Sequence, residues 1–442
     1  MTLSISEIKS IDEKLFSQSL SLAREVFPLH RSITGVGIDQ AFSLISQSIP
    51  LNIAEFPTGE FVSDWQIPQG WTFTKVSIVD TSTLEEIVSF QHPLRIASHS
   101  ISVNEVMLGE ELSNYIAVSK KYPELLLHRY CYYNDKWSIS LTMDEFLKIN
   151  KESTYKVSID SSKYDSSLKV GESVLKGTSS SKIFLLSHIC HPAQFNDGLV
   201  GALLNVYLYN FISANYSQTH HNYHFLFFPE TIGSIAYCSE KSKLDNAYFA
   251  LFSEMTALDQ PLHVQQSYNE KDDINMLIKL AAQDLQIPAK FSPFLKVIRN
   301  DEKIFNAPGF DVPAASITRA LGPGNDDHPF WGYHTNHDTV DNSNIESLQE
   351  VLSLYQYLIY IVENDCLVTR LFSGIPMLSR HGLFVDPLVN RPMYNSLEAI
   401  VWLIKDPATI SSIAHKLNLS FCETHQLFLD WEAEGLVSLS KY

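Results

Sequence analysis

Apolar residues recur at three- and four-residue steps through "ISEIKSIDEKLFSQSLSLAREVF" and again, after a glycine, through "GIDQAFSLISQSI", so residues 5–49 read as helical. Between them "PLHRSITGVG", bounded by Pro and Gly, reads as a loop carrying Arg31. From about residue 56 the period shortens. "FPTGEFVSDWQIPQGWTFTKVSIVDTSTLEEIVSF" and "TYKVSIDSSKYDSSLKVGESVLKG" are rich in β-branched and aromatic residues with short turn signals, so 56–165 is expected to be a β-rich subdomain. From residue 180 the pattern alternates. "KIFLLSH", "NYHFLFFPE", "NAYFALFSEM" and "DVPAASITRA" read as buried strands. They alternate with the helices "DGLVGALLNVYLYNFI", "TIGSIAYCSE", "DINMLIKLAAQDLQ" and "NIESLQEVLSLYQYLIYIVEN". Apolar strands alternating with helices predict an α/β fold with a mostly parallel sheet covered on both faces. The tail reads as helix, turn, helix, then Gly435 and a β-prone "LVSLS", a winged-helix pattern. The expected domains are an α/β core of residues 1–55 and 166–372, a β-rich insert at 56–165, and a winged-helix domain at 373–442.

Composition narrows the function classes. The 442 residues are 45% apolar and 19% charged, enough to bury a sizeable core. The N-terminus has no basic start followed by an apolar block, and no run reaches the ~18–20 apolar residues of a membrane span, so the expectation is a cytoplasmic protein without a membrane partner. Five scattered cysteines without a CxxC fit reduced thiols. A net charge of −18 argues against a nucleic-acid partner. The tail's second helix agrees: it carries Glu423, Asp430, Glu432 and Glu434 and no Lys or Arg.

Candidate chemistry gathers at the carboxyl ends of the predicted strands, the edge where open α/β sheets bind ligands. His188 follows "KIFLLS", Asp197 precedes the next helix, Glu230 and Glu254 end two strands, and His334 lies in "GYHTNHDTVDN". Singly, each reads as a satisfied polar residue or a turn. Together, each ends or follows a strand too apolar to hold a charge without a partner, and a divalent cation would compensate them all. Imidazole and carboxylate donors without thiolate suit zinc in an open catalytic site, with Asp197 bridging two metals through its two oxygens. A further glutamate would act as general base toward the attacking water and deliver the proton to the leaving amine.

The order His…Asp…Glu…Glu…His resembles the M28-type zinc aminopeptidases. "YHTNHDTVD" resembles that clan's closing "HTxxDTxD", "FND" its bridging aspartate, "FSEM" its strand-terminal carboxylate, and "PETIGS" its Glu-Glu-x-Gly stretch. "PLHRSITGVG", "FPTGEFVSDWQIP", "SHICHP", "FPETIGSIAY" and "NAPGFDVP" together resemble a bacterial subgroup with a β-rich insert and a C-terminal winged-helix domain, DUF4910- or DUF2172-like and often associated with polysaccharide biosynthesis. The resemblance spans nearly the whole chain. It implies a zinc-exopeptidase-like core, metal ligands His188, Asp197, Glu254 and His334, and Glu230 as the base.

Two positions depart from that pattern. Cys190 stands where an aspartate would orient the first imidazole, so another group must do this or His191 replaces His188 as ligand. Thr231 stands where the second of two glutamates would be, so Glu230 serves as base, with one tight zinc and a labile second, or as ligand, with the base missing. Four further residues are candidates for substrate binding. Asp301 and Glu302 would meet an ammonium group, and Arg319 and Arg31 a carboxylate; the alternatives are a solvated charge run, an internal pair and a turn. The expected function is zinc-dependent hydrolysis of an amide or peptide bond, by metal-bound water, in a peptide or amino-acyl small molecule, with a homo-oligomer allowed. The rival is a catalytically degraded binding protein in polysaccharide or conjugate biosynthesis.

Overall fold

The computed structural model describes residues 10–442; the expected helical residues 5–9 lie outside them. The described chain falls into two compact units. The larger takes in Asp12–Tyr268 and Lys290–Leu348, and the smaller takes in Asn269–Ala289 and Gln349–Tyr442 with residues 10 and 11.

The larger unit is built on an eight-stranded sheet. Its strands are β1 (Asn52–Pro57), β2 (Ser167–Leu175), β3 (Lys182–His188), β4 (Asn222–Phe228), β5 (Ala247–Ser253), β6 (Leu262–Gln265), β7 (Ala289–Ser292) and β8 (Ala314–Thr318). The order across the sheet is β1-β2-β4-β3-β5-β8-β6-β7. The four central strands, β4, β3, β5 and β8, are parallel, and β1, β2 and β6 add on antiparallel. The apolar runs expected to be buried strands form this parallel centre: every residue from Ile183 to His188 is buried, as helices covering both faces require. Three strands escape the sequence reading: β1, most of which falls between the helical stretch ending at residue 49 and the β-rich segment from 56, and β6 and β7, which are short.

The β-rich segment forms a four-stranded antiparallel sheet, ordered Glu86–Ser89, Gly70–Asp80, Thr154–Tyr164, Val103–Leu108. Tyr155, Val157 and Ile159 alternate inward and pack with Val76, Ile78 and Trp71 in a core of their own. Both ends of the segment are anchored in the large sheet, because β1 pairs with β2 from Asn52↔Glu172 to Pro57↔Ser167. The sheet of the insert and β2 therefore part at Asp165–Ser166.

One helix starts later than its sequence suggests. The apolar run after Asp197 reads as helical from that residue. Phe195–Leu199 is instead a π-type turn with non-helical Asp197 (φ −84°, ψ 72°) and Gly198 (φ 114°), and the regular helix is Val200–Asn215. Such turns redirect side chains at functional sites, and this one lies beside β3.

In the smaller unit, helices Arg391–Leu403, Ile410–Leu417 and Phe421–Ala433 precede the strand Val437–Ser440, with Gly435 left-handed (φ 69°) between helix and strand. That strand pairs with Leu367–Arg370, which also takes Ala408–Thr409. The smaller unit thus begins before residue 373 and includes the helix Asp273–Asp284.

Candidate metal centre

Parallel strands in register end at one edge. Leu186 of β3 is level with Leu226 and Phe252, and His188 with Phe228. His188 therefore closes β3 beside Pro229-Glu230 after β4 and Glu254 after β5. The turn at Asp197 returns a carboxylate to the same edge. Gly198 is required there: a Cβ on it would stand 2.6 Å from Cδ2 and Nε2 of His188. His334 arrives from the loop preceding the helix Ile345–Asn364, with Tyr333 stacked on its ring at 3.9 Å between centroids.

The donors converge at ligand spacing. Nε2 of His188 lies 3.3 Å from Glu254 Oε2 and 3.9 Å from Asp197 Oδ1. The other oxygen, Asp197 Oδ2, lies 2.7 Å from His334 Nε2. That approach lacks hydrogen-bond geometry, and both ring nitrogens of His188, Asp197 Oδ2 and His334 Nε2 are buried without a hydrogen-bond partner. His188, Asp197 and Glu254 are themselves at most 2% exposed. Unpaired buried polar atoms cost about 1–3 kcal/mol each, more when charged, so the cluster is strongly destabilising unless something unites its donors. One imidazole and two carboxylates around a point fit a divalent cation such as zinc.

Electrostatics agree with that arrangement. Burial alone would raise Asp197, but His191, His334 and His188 outweigh it and hold the carboxyl below its ordinary range. Burial pushes Glu230 up to about 8, opposed by His188 and reinforced by Asp301, Asp197 and Glu254. Glu230 is half-buried, its Oε2 lying 3.5 Å from His191 Nε2 and 3.8 Å from His188 Nδ1. The backbone around the site is strained: His191, Ala193, Thr231, Met255 and His334 all have positive φ, at roughly 1–3 kcal/mol each.

A layer of polar residues holds these groups. Asp338 accepts from Asn196 N (2.8 Å), Asn196 Nδ2 (3.2 Å) and Asp197 N (2.9 Å), fixing the turn that carries Asp197. Asn300 Nδ2 donates to Glu254 Oε2 at 2.9 Å. Cys190, at the place of the orienting aspartate, contacts His191 Nδ1 through its sulfur at 3.2 Å. Asp301 Oδ2 is 4.0 Å from Nδ1 of His188. Two carboxylates from elsewhere in the chain, Asp301 before a short helix and Glu230 after β4, thus stand at the edge of His188 that Cys190 leaves uncharged.

The residues considered for substrate binding face protein groups instead. Asp301 is fully buried, its Oδ1 accepting from Thr231 N (2.8 Å) and Ser234 Oγ (2.6 Å). Glu302, also fully buried, accepts from Gln265 Nε2 and Asn300 N. Neither is presented to a substrate ammonium. Arg31 is fully buried and donates to the carbonyls of Ile189, Cys190 and Gln194, clamping the loop that bears His191. Arg319 donates to the carbonyl of Gln260. Three residues with a place at the site went unread: Asn300, Asp338 and His128. His128 is 1% exposed, and its ring stacks edge-on to His334 at 5.0 Å. In sequence it is one histidine after "ELLL" inside a β-rich segment, without motif or spacing to mark it.

A family model described as "Domain of unknown function (DUF4910)" matches residues 20–365. The chain belongs to the DUF4910 family. This DUF4910 chain is 30% identical over 370 residues, 82% of each chain, to a Clostridium acetobutylicum protein provisionally named a polysaccharide biosynthesis protein with an aminopeptidase-like domain. A crystal structure from C. acetobutylicum, provisionally named a peptidase, superposes with a TM-score of 0.86 at 26% identity, covering 99% of this chain and 98% of that one. The zinc aminopeptidase BSAP of Bacillus subtilis shares the fold at a TM-score of 0.58 and 11% identity, covering 79% and 94%. The M28 peptidase precursor of Shewanella amazonensis does so at 0.53 and 14%, covering 81% and 97%. The aminopeptidase-like α/β architecture is thereby established. No helix among the described residues is long and apolar enough to cross a membrane.

Proposed function

We propose that this DUF4910 member is a zinc-dependent hydrolase of amide bonds in a peptide or amino-acyl small molecule. The observation that carries the reading is the bifacial Asp197: Oδ1 lies 3.9 Å from His188 Nε2, itself 3.3 Å from Glu254, while Oδ2 lies 2.7 Å from His334 Nε2, and the two ring nitrogens of His188, Asp197 Oδ2 and His334 Nε2 are buried without a hydrogen-bond partner. His188, Asp197 and Glu254 would hold the tight metal, and His334, beside the other oxygen of Asp197, the labile second. Bound there, zinc supplies Lewis acidity that polarises a carbonyl and acidifies a water. Glu230 takes the proton of the attacking water on its half-buried carboxylate and returns it to the departing amine. Burial holds this carboxyl above its ordinary range, with Asp301, Asp197 and Glu254 adding to the shift, which suits it to deliver a proton to the amine near neutral pH. Asp338 and Asn300 hold the ligand carboxylates in place, and Tyr333 packs against His334.

The same reading includes the division into an α/β core, a β-rich insert at 56–165 and a C-terminal winged-helix domain that takes in the strand Leu367–Arg370 before residue 373, and a cytoplasmic location. Free cysteines at all five positions support that location. Thr231 in place of a second acidic residue favours one alternative, a binding protein that has lost catalysis and serves polysaccharide or conjugate biosynthesis.

Zinc analysis of the purified protein, with hydrolysis of aminoacyl-p-nitroanilides and aminoacyl sugars, tests the hydrolase. Retained zinc and hydrolysis that fall below detection in Glu230→Gln, with zinc still bound, are expected. Zinc without turnover on any of these amides supports the binding protein, and protein that retains no zinc refutes the metal centre itself.

A further inference from the structure

We propose that His128, His191 and His334, together with Asp197 Oδ2, form a second zinc site, so that the β-rich insert contributes a ligand to the centre. The inference rests on the reading of His188, Asp197 and Glu254 as a zinc site and deepens it.

The three imidazoles each offer a nitrogen, and these atoms lie within 4.8 Å of one another. Ring centroids are 4.9 Å apart for His128 and His191, 5.0 Å for His128 and His334, and 5.4 Å for His191 and His334. His334 Nε2 stands 2.7 Å from Asp197 Oδ2, the oxygen turned away from His188 and Glu254. Both ring nitrogens of His128 are buried without a hydrogen-bond partner. A core histidine normally satisfies at least one of them, because leaving a buried donor or acceptor unmade costs about 1–3 kcal/mol.

The surroundings fix the backbone that carries His128 and His334 and orient the ring of His191. The backbone of the insert pairs with the loop of His334: His128 N donates to the His334 carbonyl at 2.7 Å, and Leu126 N donates to Asn336 Oδ1 at 2.9 Å. Asn336 N returns a bond to the Leu126 carbonyl at 3.1 Å. Cys190 Sγ occupies His191 Nδ1, which leaves Nε2 as the ligand nitrogen, and Arg31 clamps the carbonyls of the same loop. An oriented outer partner of this kind is what metal-binding imidazoles require. Three imidazoles and one carboxylate oxygen complete a four-donor set that suits zinc. They replace the carboxylate that Thr231 cannot supply, with no acidic residue at that position.

Metal-stripped full-length protein, titrated with zinc, reports stoichiometry by mass spectrometry, and X-ray absorption of the zinc-loaded wild type reports the imidazole count without any mutation. Two equivalents are expected, with an average of about two imidazoles per zinc, since one site has a single histidine and the other three. His128→Gln and, independently, His191→Gln should each lose one of the two equivalents. Glu254→Gln should also lose one, leaving zinc with about three imidazoles. Two equivalents with a single imidazole each overturn the inference, as does retention of both equivalents in His128→Gln and His191→Gln. A single zinc with one imidazole, lost in Glu254→Gln, sinks the second site and leaves the first standing. A single zinc with three imidazoles supports the histidine site and sinks the first. No bound zinc at all removes both.

Discussion

Gly198→Ala isolates how tightly the turn after Asp197 is built against the first imidazole. Two costs arise. Gly198 sits at φ 114° and ψ −52°, left-handed but outside the αL well that other residues can enter, so a side chain there costs about 1–3 kcal/mol. The new Cβ would also lie 2.6 Å from Cδ2 and Nε2 of His188, whose side chain is fully buried. An ordinary carbon contact needs about 3.5 Å or more, so the ring edge must retreat by about 1 Å. Overpacking of that kind costs about 1–3 kcal/mol. The expected loss is therefore about 2–6 kcal/mol in all. Gly435→Ala is the control, because Gly435 is also left-handed (φ 69°) but has nothing within 4 Å of its would-be Cβ; it should lose only about 1 kcal/mol. Denaturant unfolding in chelator measures both losses without metal. A competition titration then measures zinc affinity, expected to fall by about 10–100-fold in Gly198→Ala and to stay unchanged in Gly435→Ala. Equal destabilisation of the two variants, or unaltered zinc affinity in Gly198→Ala, would refute the packing of this turn against His188.

Three further outcomes follow from the supporting residues. Asp338→Asn turns an amide nitrogen toward one of the backbone or side-chain donors of Asn196 and Asp197; it should cost about 2 kcal/mol in unfolding free energy and weaken zinc binding about tenfold or more in the same competition titration. Arg31→Met keeps most of the stem but strips the donors from three buried carbonyls, so amide exchange across residues 189–194 should accelerate, with about 2–4 kcal/mol lost; unchanged exchange there would count against the clamp. Burial would raise the Glu172 carboxyl, but contacts from His224 Nδ1 (2.7 Å) and Tyr237 OH (2.6 Å) outweigh it and hold the group below its ordinary value. Its stabilisation is then complete above the ordinary glutamate range and is lost as pH falls through the lowered value. Thermal midpoints should therefore drop less steeply on acidification in Tyr237→Phe than in the wild type.

The architecture was legible because the parallel strands advertise themselves. "KIFLLS", "HFLFF" and "FALFS" are apolar on both faces, as strands sandwiched between helices must be. The strands β6 and β7, short and lying toward one edge of the sheet, carry no such signal. The same logic exposed His188, Glu230 and Glu254: a charge at the end of an apolar strand stands out, and parallel register brings such ends to one line. The helix after Asp197 was read too early because a π-type turn preserves the apolar run while breaking the helical dihedrals.

Asp301 and Glu302 within "RNDEKIF" read as groups for a substrate ammonium or as a solvated charge run, yet both are buried behind the site. Local sequence does not reveal which neighbours a loop residue meets when they come from strands many residues away. His128 shows the same limit most sharply. Sequence alone determined the fold class and which strand ends bear donors, because hydrophobic period is a local property of the chain. Only the tertiary structure decided that a histidine of the insert meets His191 and His334, because that meeting depends on backbone pairing between segments some two hundred residues apart.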